Sequence, residues 1–212
     1  MAALAPNVAL GWALMCIPHA SVHQYAVSPD VVLAVAKTES GFDPLAIHDN
    51  STGLAPEAKN RADAVSIAAR LISLGHSVDL GFMQINAPAN LAKTGLTVQS
   101  AFDQCASIRA GARVLLDGYD GGGTPEDEQA SVLRALSRYN TGNASGGFYN
   151  GYVNKVLASA RQVIPALRIP GMAAFSPPSQ EEPPHPTAQE YPNLVAAAER
   201  ARERRKSGDI GE

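Results

Sequence analysis

The residues best suited to chemistry in this chain are one glutamate, two side-chain amides and a phenol. Glu39 lies in the run Thr38-Glu39-Ser40-Gly41, where a predicted helix stops. That helix opens at Ser28-Pro29-Asp30, which offers an N-cap, a proline in the first helical position and an acid in the first turn. Val31, Val32, Val35 and Ala36 form its apolar face, so the element is expected inside, carrying Glu39 into the protein body. A carboxylic acid there resists ionising, because apolar surroundings disfavour the anion and the partial negative charge of a helix C-terminus disfavours it further. Such a glutamic acid keeps its proton near neutral pH and can donate it. The plain alternative is an exposed glutamate near a helix end.

Gln84 and Asn86 stand at alternate positions of Gly81-Phe82-Met83-Gln84-Ile85-Asn86, part of the Leu80 to Asn86 stretch read as strand-like, and beside a glycine that permits close backbone approach. Amides both donate and accept, as binding sugar hydroxyls and acetamido groups requires, and Phe82 and Met83 can pack on apolar sugar faces. A buried edge strand with locally satisfied amides would read the same way. Arg138-Tyr139-Asn140-Thr141-Gly142-Asn143 places a phenol and an amide at another helix end; a core tyrosine beside an asparagine stop is the plain alternative.

The elements that must position these groups are mostly helices. Asn60 opens a run with Val65, Ala68, Ala69, Ile72 and Leu74 at helical spacing before Gly75, and a further helix passes through Cys105 to Leu116. Residues 117–123 form a loop, and Thr124-Pro125-Glu126 starts a helix to Tyr139 with Val132, Leu133 and Leu136 facing inward. The last globular helix holds Tyr152, Val153, Val156 and Leu157 and ends near Ile164-Pro165. Residues 43–59 read as a polar, turn-rich stretch. The expected fold is mainly α, with a very small β segment. From 176 to 186 the composition turns to proline, serine and glutamate, which cannot bury enough apolar surface to order itself; a short charged helix at 196–206 would be marginal in isolation.

Several function classes are excluded by composition. The 212 residues carry a net charge of -3 with acids and bases interspersed, which gives no basic surface for nucleic acid. The apolar stretch from Val8 to Ile17 is too short to span a bilayer. It also makes a poor export signal, having no Lys or Arg before it and only Pro18-His19-Ala20 as a cleavage site. His19 and His23 are spaced i, i+4 as zinc ligands can be, but no glutamate lies between them and no third ligand is evident. The 117–128 stretch has the length of a calcium loop, yet Tyr119 and Gly121 stand where oxygen ligands belong, and the glycines at 121–123 lack the Gly-Lys-Ser/Thr of a phosphate loop. No metal and no cofactor are expected. Cys16 and Cys105 match no metal or redox spacing and are either buried thiols or one disulfide, which in the chain-entropy model would add ~4 kcal/mol.

Glu-Ser-Gly at 39–41, the Gly81 to Asn86 run, Tyr-Asn-Thr-Gly-Asn at 139–143 and Gly-Tyr-Val-Asn-Lys-Val at 151–156 together resemble the soluble lytic transglycosylases, which share a fold with goose-type lysozyme. Cys16-Ile-Pro, the stretch ending Gly75-His76-Ser77-Val78-Asp79-Leu80, and Ala101-Phe-Asp-Gln-Cys105 followed by Ala110-Gly-Ala-Arg-Val are similar to the peptidoglycan-cleaving branch that serves type IV secretion and conjugation machines. The resemblance covers about residues 16–163. Phe82 departs from a commoner leucine and Arg138 from a commoner alanine.

The resemblance implies an α+β lysozyme-like domain, assigned to residues 1–165, while composition assigns a proline-rich linker to 166–192 and a charged tail to 193–212. It makes Glu39 the single catalytic acid, places Gln84, Asn86 and Tyr139 along a glycan groove with Ser40 and Asn140 in support, and favours a Cys16 to Cys105 bridge. It implies peptidoglycan glycan strands as substrate, cut with formation of 1,6-anhydro ends in the periplasm, and type IV secretion components as partners of the tail. A goose-type-lysozyme-like hydrolase and a non-catalytic wall-docking module are the alternatives. Asp43, Asp49 and Asp79, the candidates for a second acid, are expected to be solvated loop aspartates.

Overall fold

The computed structural model describes residues 3–17 and 28–166. The His19 and His23 pair, the proline-rich linker and the charged tail lie outside the described residues. In chain order the elements are α1 (Pro6–Cys16), α2 (Pro29–Ser40), β1 (Ile47–Asp49), α3 (Arg61–Ser73), β2 (Val78–Leu80), β3 (Ile85–Ala87), α4 (Leu91–Thr94), α5 (Val98–Ala101), α6 (Gln104–Gly118), α7 (Pro125–Thr141), α8 (Gly146–Tyr149) and α9 (Tyr152–Ala166).

The caps read from the sequence set the helix starts. Ser28 Oγ accepts from the Val31 N–H, Asn60 Oδ1 from Asp63, and Thr124 Oγ1 from Asp127, while Pro29 and Pro125 occupy the first turns of α2 and α7. Gly41 closes α2 in the left-handed conformation, at φ 62°.

Two apolar cores form. The larger joins α1, α2, α6 and α9 around Val32, Leu33, Val35, Phe82, Met83, Ile108 and Leu115; the smaller packs α3 on the buried face of the sheet through Ala64, Ala68, Val78, Leu80 and Phe102. Val32, Leu33 and Val35 are wholly buried, which stabilises the fold by roughly 5–9 kcal/mol before entropy is counted and fixes α2 in the middle of the helical layer. Cys16, at the end of α1, is disulfide-bonded to Cys105 in the first turn of α6. None of the helices among the described residues is long and apolar enough to cross a membrane.

Two strand expectations need correction. Residues 43–59 hold a strand, β1, that turn-rich composition concealed. The Gly81 to Asn86 run is not one strand: residues 81–84 are the turn of an antiparallel hairpin that pairs Leu80 with Ile85. Gln84 takes φ 46° there, so Gln84 and Asn86 do not alternate along a single strand. The sheet has the order β1-β2-β3, antiparallel throughout.

Gly81 makes that turn possible. Its φ is 72°, and a Cβ there would meet the Ala101 carbonyl oxygen at 2.1 Å. Gly53, at φ 74°, has nothing within 4 Å of an added Cβ. Gly81→Ala is therefore expected to lose roughly 3 kcal/mol or more, from backbone strain plus overpacking, whereas Gly53→Ala should lose only about 1 kcal/mol. Urea unfolding of the two variants checks this; equal losses would contradict the close approach.

Candidate active site

A cleft of about 730 Å³ separates the sheet from the helical layer. Glu39 comes to it from the last turn of α2, Asn50, Ser77, Asp79, Gln84 and Asn86 from the sheet and its turns, and Tyr139 and Asn140 from the end of α7.

Each strand has one intermediate residue between two buried ones, and the register places the three intermediate residues, His48, Asp79 and Asn86, opposite one another. Cross-strand partners share a face. The sheet therefore buries Ile47, Val78, Leu80, Ile85 and Ala87 and presents a polar row on its other side, from which Asp79 and Asn86 line the cleft. Asn86 Nδ2 donates to Asp79 Oδ1 at 2.7 Å and to Ser77 Oγ at 3.0 Å, and Asn50 Nδ2 donates to Asp79 Oδ2 at 2.9 Å. Gln84 Nε2 donates to the Ala46 and Gly81 carbonyls, which fixes the amide by its nitrogen while the residue faces the cleft.

On the helical side, α2 packs along α9, and Thr38 Oγ1 joins Ser159 Oγ at 2.9 Å. This brings Tyr152, at the start of α9, against Glu39: the phenol donates to Glu39 Oε1 at 2.5 Å. Burial pushes the Glu39 carboxyl up to about 7; the Tyr152 hydrogen bond lowers it and the charge of Asp79 raises it. Burial is thus the dominant cause, as the apolar face of α2 foretold. Tyr139 donates to the Met83 carbonyl at 2.6 Å, and burial, then the charges of Glu39 and Asp79, hold its phenol neutral. Asn140 lines the cleft with Oδ1 accepting from Asn150.

Ser40 lies elsewhere. Its hydroxyl donates to the Phe82 carbonyl at 2.8 Å, tying the end of α2 to the hairpin turn, and it is not among the residues lining the cleft. Arg138, the unusual residue before Tyr139, donates to the Gly118 carbonyl and to Asp120, which Arg134 also grips with two nitrogens. Burial would raise the Asp120 carboxyl, but the hydrogen bonds and charges of Arg134, Ser131 and Arg138 outweigh it and hold it at about 2. This network braces the helix that carries Tyr139.

Two of the three aspartates differ from expectation, and all three differ from one another. Asp43 does serve a turn, accepting from the Leu45 N–H. Asp49 is only 2 % exposed and is no solvated loop residue: Thr52 Oγ1, the Ser51 N–H and His76 surround its carboxylate, and these, the Thr52 bond foremost, hold it at about 2. Asp79 lies on a strand inside the cleft with Glu39. Loop-like neighbours in sequence concealed a strand only three residues long.

The transglycosylase SLT domain model matches residues 16–161, which takes in α2, the hairpin, α7 and the first two thirds of α9. The chain belongs to the transglycosylase SLT domain family. The protein named "Protein virB1" from Agrobacterium fabrum is 44% identical over 142 residues, covering 67% of this chain and 58% of its own length; one of the same name from Rhizobium radiobacter is 43% identical over a similar span. "Type IV secretion system protein virB1" of Brucella suis is 32% identical over 196 residues, covering 81% of this chain and 82% of its own. The chain thus spans less than two thirds of the Agrobacterium and Rhizobium proteins. No solved structure matches it.

Within this SLT domain, sequence reasoning found Glu39, Gln84, Asn86, Tyr139 and Asn140, all of which the fold brings to one cleft. It missed Tyr152, and it named Asp79 as a second-acid candidate only to set it aside as a loop residue. Tyr152 stood in the Gly151-Tyr152-Val153 motif and on the last helix but was given no role; Asp79 carried the signal of alternation with Val78 and Leu80, had the strand been recognised.

A carboxyl that titrates near 7 when folded and near 4.5 when unfolded lowers stability as pH rises between those values, because the unfolded state releases its proton first. Glu39→Gln cannot ionise, so it should be more stable than the parent at pH 8 by on the order of 1–3 kcal/mol and show little of that gain at pH 4. Denaturant midpoints at the two pH values measure this, and a gain independent of pH would contradict a buried, proton-holding Glu39.

Proposed function

We propose that this chain cuts the glycan strands of peptidoglycan without hydrolysis, with Glu39 as the single acid and base. The observation that carries this reading is a carboxyl held up near 7 in a cleft lined with amides and hydroxyls. At neutral pH a large share of Glu39 is protonated and can donate to the oxygen of the β-1,4 link between N-acetylmuramic acid and N-acetylglucosamine. The C1–O bond breaks, its electrons stay with the departing oxygen, which leaves as a hydroxyl, and C1 becomes cationic. The C6 hydroxyl of the same muramic acid then adds to C1 and gives its proton to the Glu39 carboxylate, which restores the acid and leaves a 1,6-anhydro end. The nucleophile is intramolecular, so no water needs activating.

Tyr152 suits this cycle, since its phenol donates to Glu39 and steadies the carboxylate in the middle of it. Gln84, Asn86, Tyr139 and Asn140 would hold the strand, and Ser40 would act through the Phe82 backbone rather than by touching sugar. The name of the Brucella suis relative supports a role with a type IV secretion apparatus; on this reading the chain opens the wall in the periplasm, and residues 166–212 are the segment that meets another component.

Asp79 in the same cleft favours a second reading, lysozyme-type hydrolysis, which uses two carboxylates. Product mass separates the two. Digestion of purified sacculi should release muropeptides with anhydro ends, each lighter by one water than its hydrolysed counterpart, and Glu39→Gln should abolish release while still binding sacculi. Water-added ends alone would establish hydrolysis; retained cleavage by Glu39→Gln would assign the acid elsewhere.

A further inference from the structure

Among the described residues, Lys93 is the cation of the cleft that the protein leaves uncommitted. The charged residues in the lining are Glu39, Asp79, Lys93, Asp117 and Arg138. Arg138 gives its guanidinium to Asp120 and to the Gly118 carbonyl, and Asp117 pairs with Arg113 one turn away on α6. Lys93 enters no salt bridge, and its ammonium makes no hydrogen bond, among the described residues.

The backbone beneath it is held firmly. Leu91 and Leu96, on either side of Lys93, pack against both apolar cores. The Asn90 N–H donates to the Asn86 carbonyl at 2.9 Å, and Thr94 Oγ1 donates to the Asn90 carbonyl at 2.7 Å. Asn90 and Lys93 are three residues apart on one turn, so they share a face, and both line the cleft. The Asn90 side chain caps nothing and has no other hydrogen bond among the described residues. A fixed turn thus presents an amide and an ammonium, neither of them used by the fold.

We propose that Asn90 and Lys93 form a subsite for a carboxylate carried on the muramic acid side group of the strand. This rests on the glycan-cleaving reading above. The sugar rings are neutral, and the acidic groups of such a strand hang from the lactyl ether of muramic acid: the lactyl carboxylate itself where no peptide is attached, or carboxylates of the attached peptide. An ammonium gains little by exchanging water for a neutral hydroxyl, but it gains a charge-assisted hydrogen bond from a carboxylate. The Asn90 amide can donate to the second oxygen or pair with a neighbouring peptide group. Neither residue touches the reacting atoms; the subsite fixes which muramic acid lies over Glu39.

The test uses the full chain on soluble glycan strands in two forms, peptide-bearing and stripped of peptide by an amidase, each with and without conversion of its carboxyls to methylamides. Lys93→Gln should raise KM about 5- to 10-fold on the strands that present the recognised carboxylate, with kcat within about twofold of the parent, since the contact is the same before and during the reaction. A penalty on peptide-bearing strands assigns a peptide carboxylate, and one confined to stripped strands assigns the lactyl carboxylate. Methylamidation should raise the parental KM to the same extent and abolish the penalty. Lys93→Arg, which keeps the charge, should stay near the parent, and Asn90→Ala should raise KM by about threefold. A parental KM for Lys93→Gln on both unmodified forms overturns the subsite and leaves the glycan-cleaving reading standing. A parent that releases nothing from either form overturns that reading and this inference with it.

Discussion

The burial of one carboxyl at the end of α2 is the constraint on which the rest of this structure depends. A glutamate in water has a value near 4.5, and in this cleft it is pushed up to about 7, chiefly because the surrounding protein removes solvent from the anion. That displacement requires α2 to be central, and α2 is central because Val32, Leu33 and Val35 are buried on the faces it turns to α1, α6 and α9. The apolar core is thus the instrument that sets the acid strength. The same burial is a liability for folding, and a fold that retains it trades stability for a proton held ready.

Holding the proton in the right place is a separate matter from keeping it. Tyr152 orients the carboxyl, Ser40 ties the end of α2 to the hairpin turn, and the hairpin in turn aims Gln84, Asn86 and Asp79 at the same space. Two cores, one helical and one between α3 and the sheet, form the two walls. A site between two rigid walls can be shaped by both and filled by neither.

Much of this was legible in the sequence, and the parts that were not have physical reasons. Helix caps are local, so Ser28, Asn60 and Thr124 could be read directly and the structure places them as caps. The apolar period of α2 was also local, and it foretold the inward course of Glu39. Strands of three residues carry too little alternation to be seen, which is why β1 went unread and the hairpin looked like one strand. Asp79 and Asp49 were misjudged for that reason: whether an aspartate is a loop residue or a wall residue depends on strand register, which no local pattern in so short a segment encodes. Tyr152 was missed differently. Its place on the last helix was read, but its partner lies 113 positions away, and only the packing of α9 along α2 brings the two together.

The central claim is that Glu39 holds a proton near neutral pH, and a direct titration of its side-chain carboxyl tests it. In the intact chain labelled with carbon-13 at glutamate carboxyls, the resonance assigned through Glu39→Gln should titrate with a midpoint near 7, well above the other glutamates. A midpoint near 4.5, the ordinary value, would mean that the carboxyl is ionised at working pH and would contradict the account.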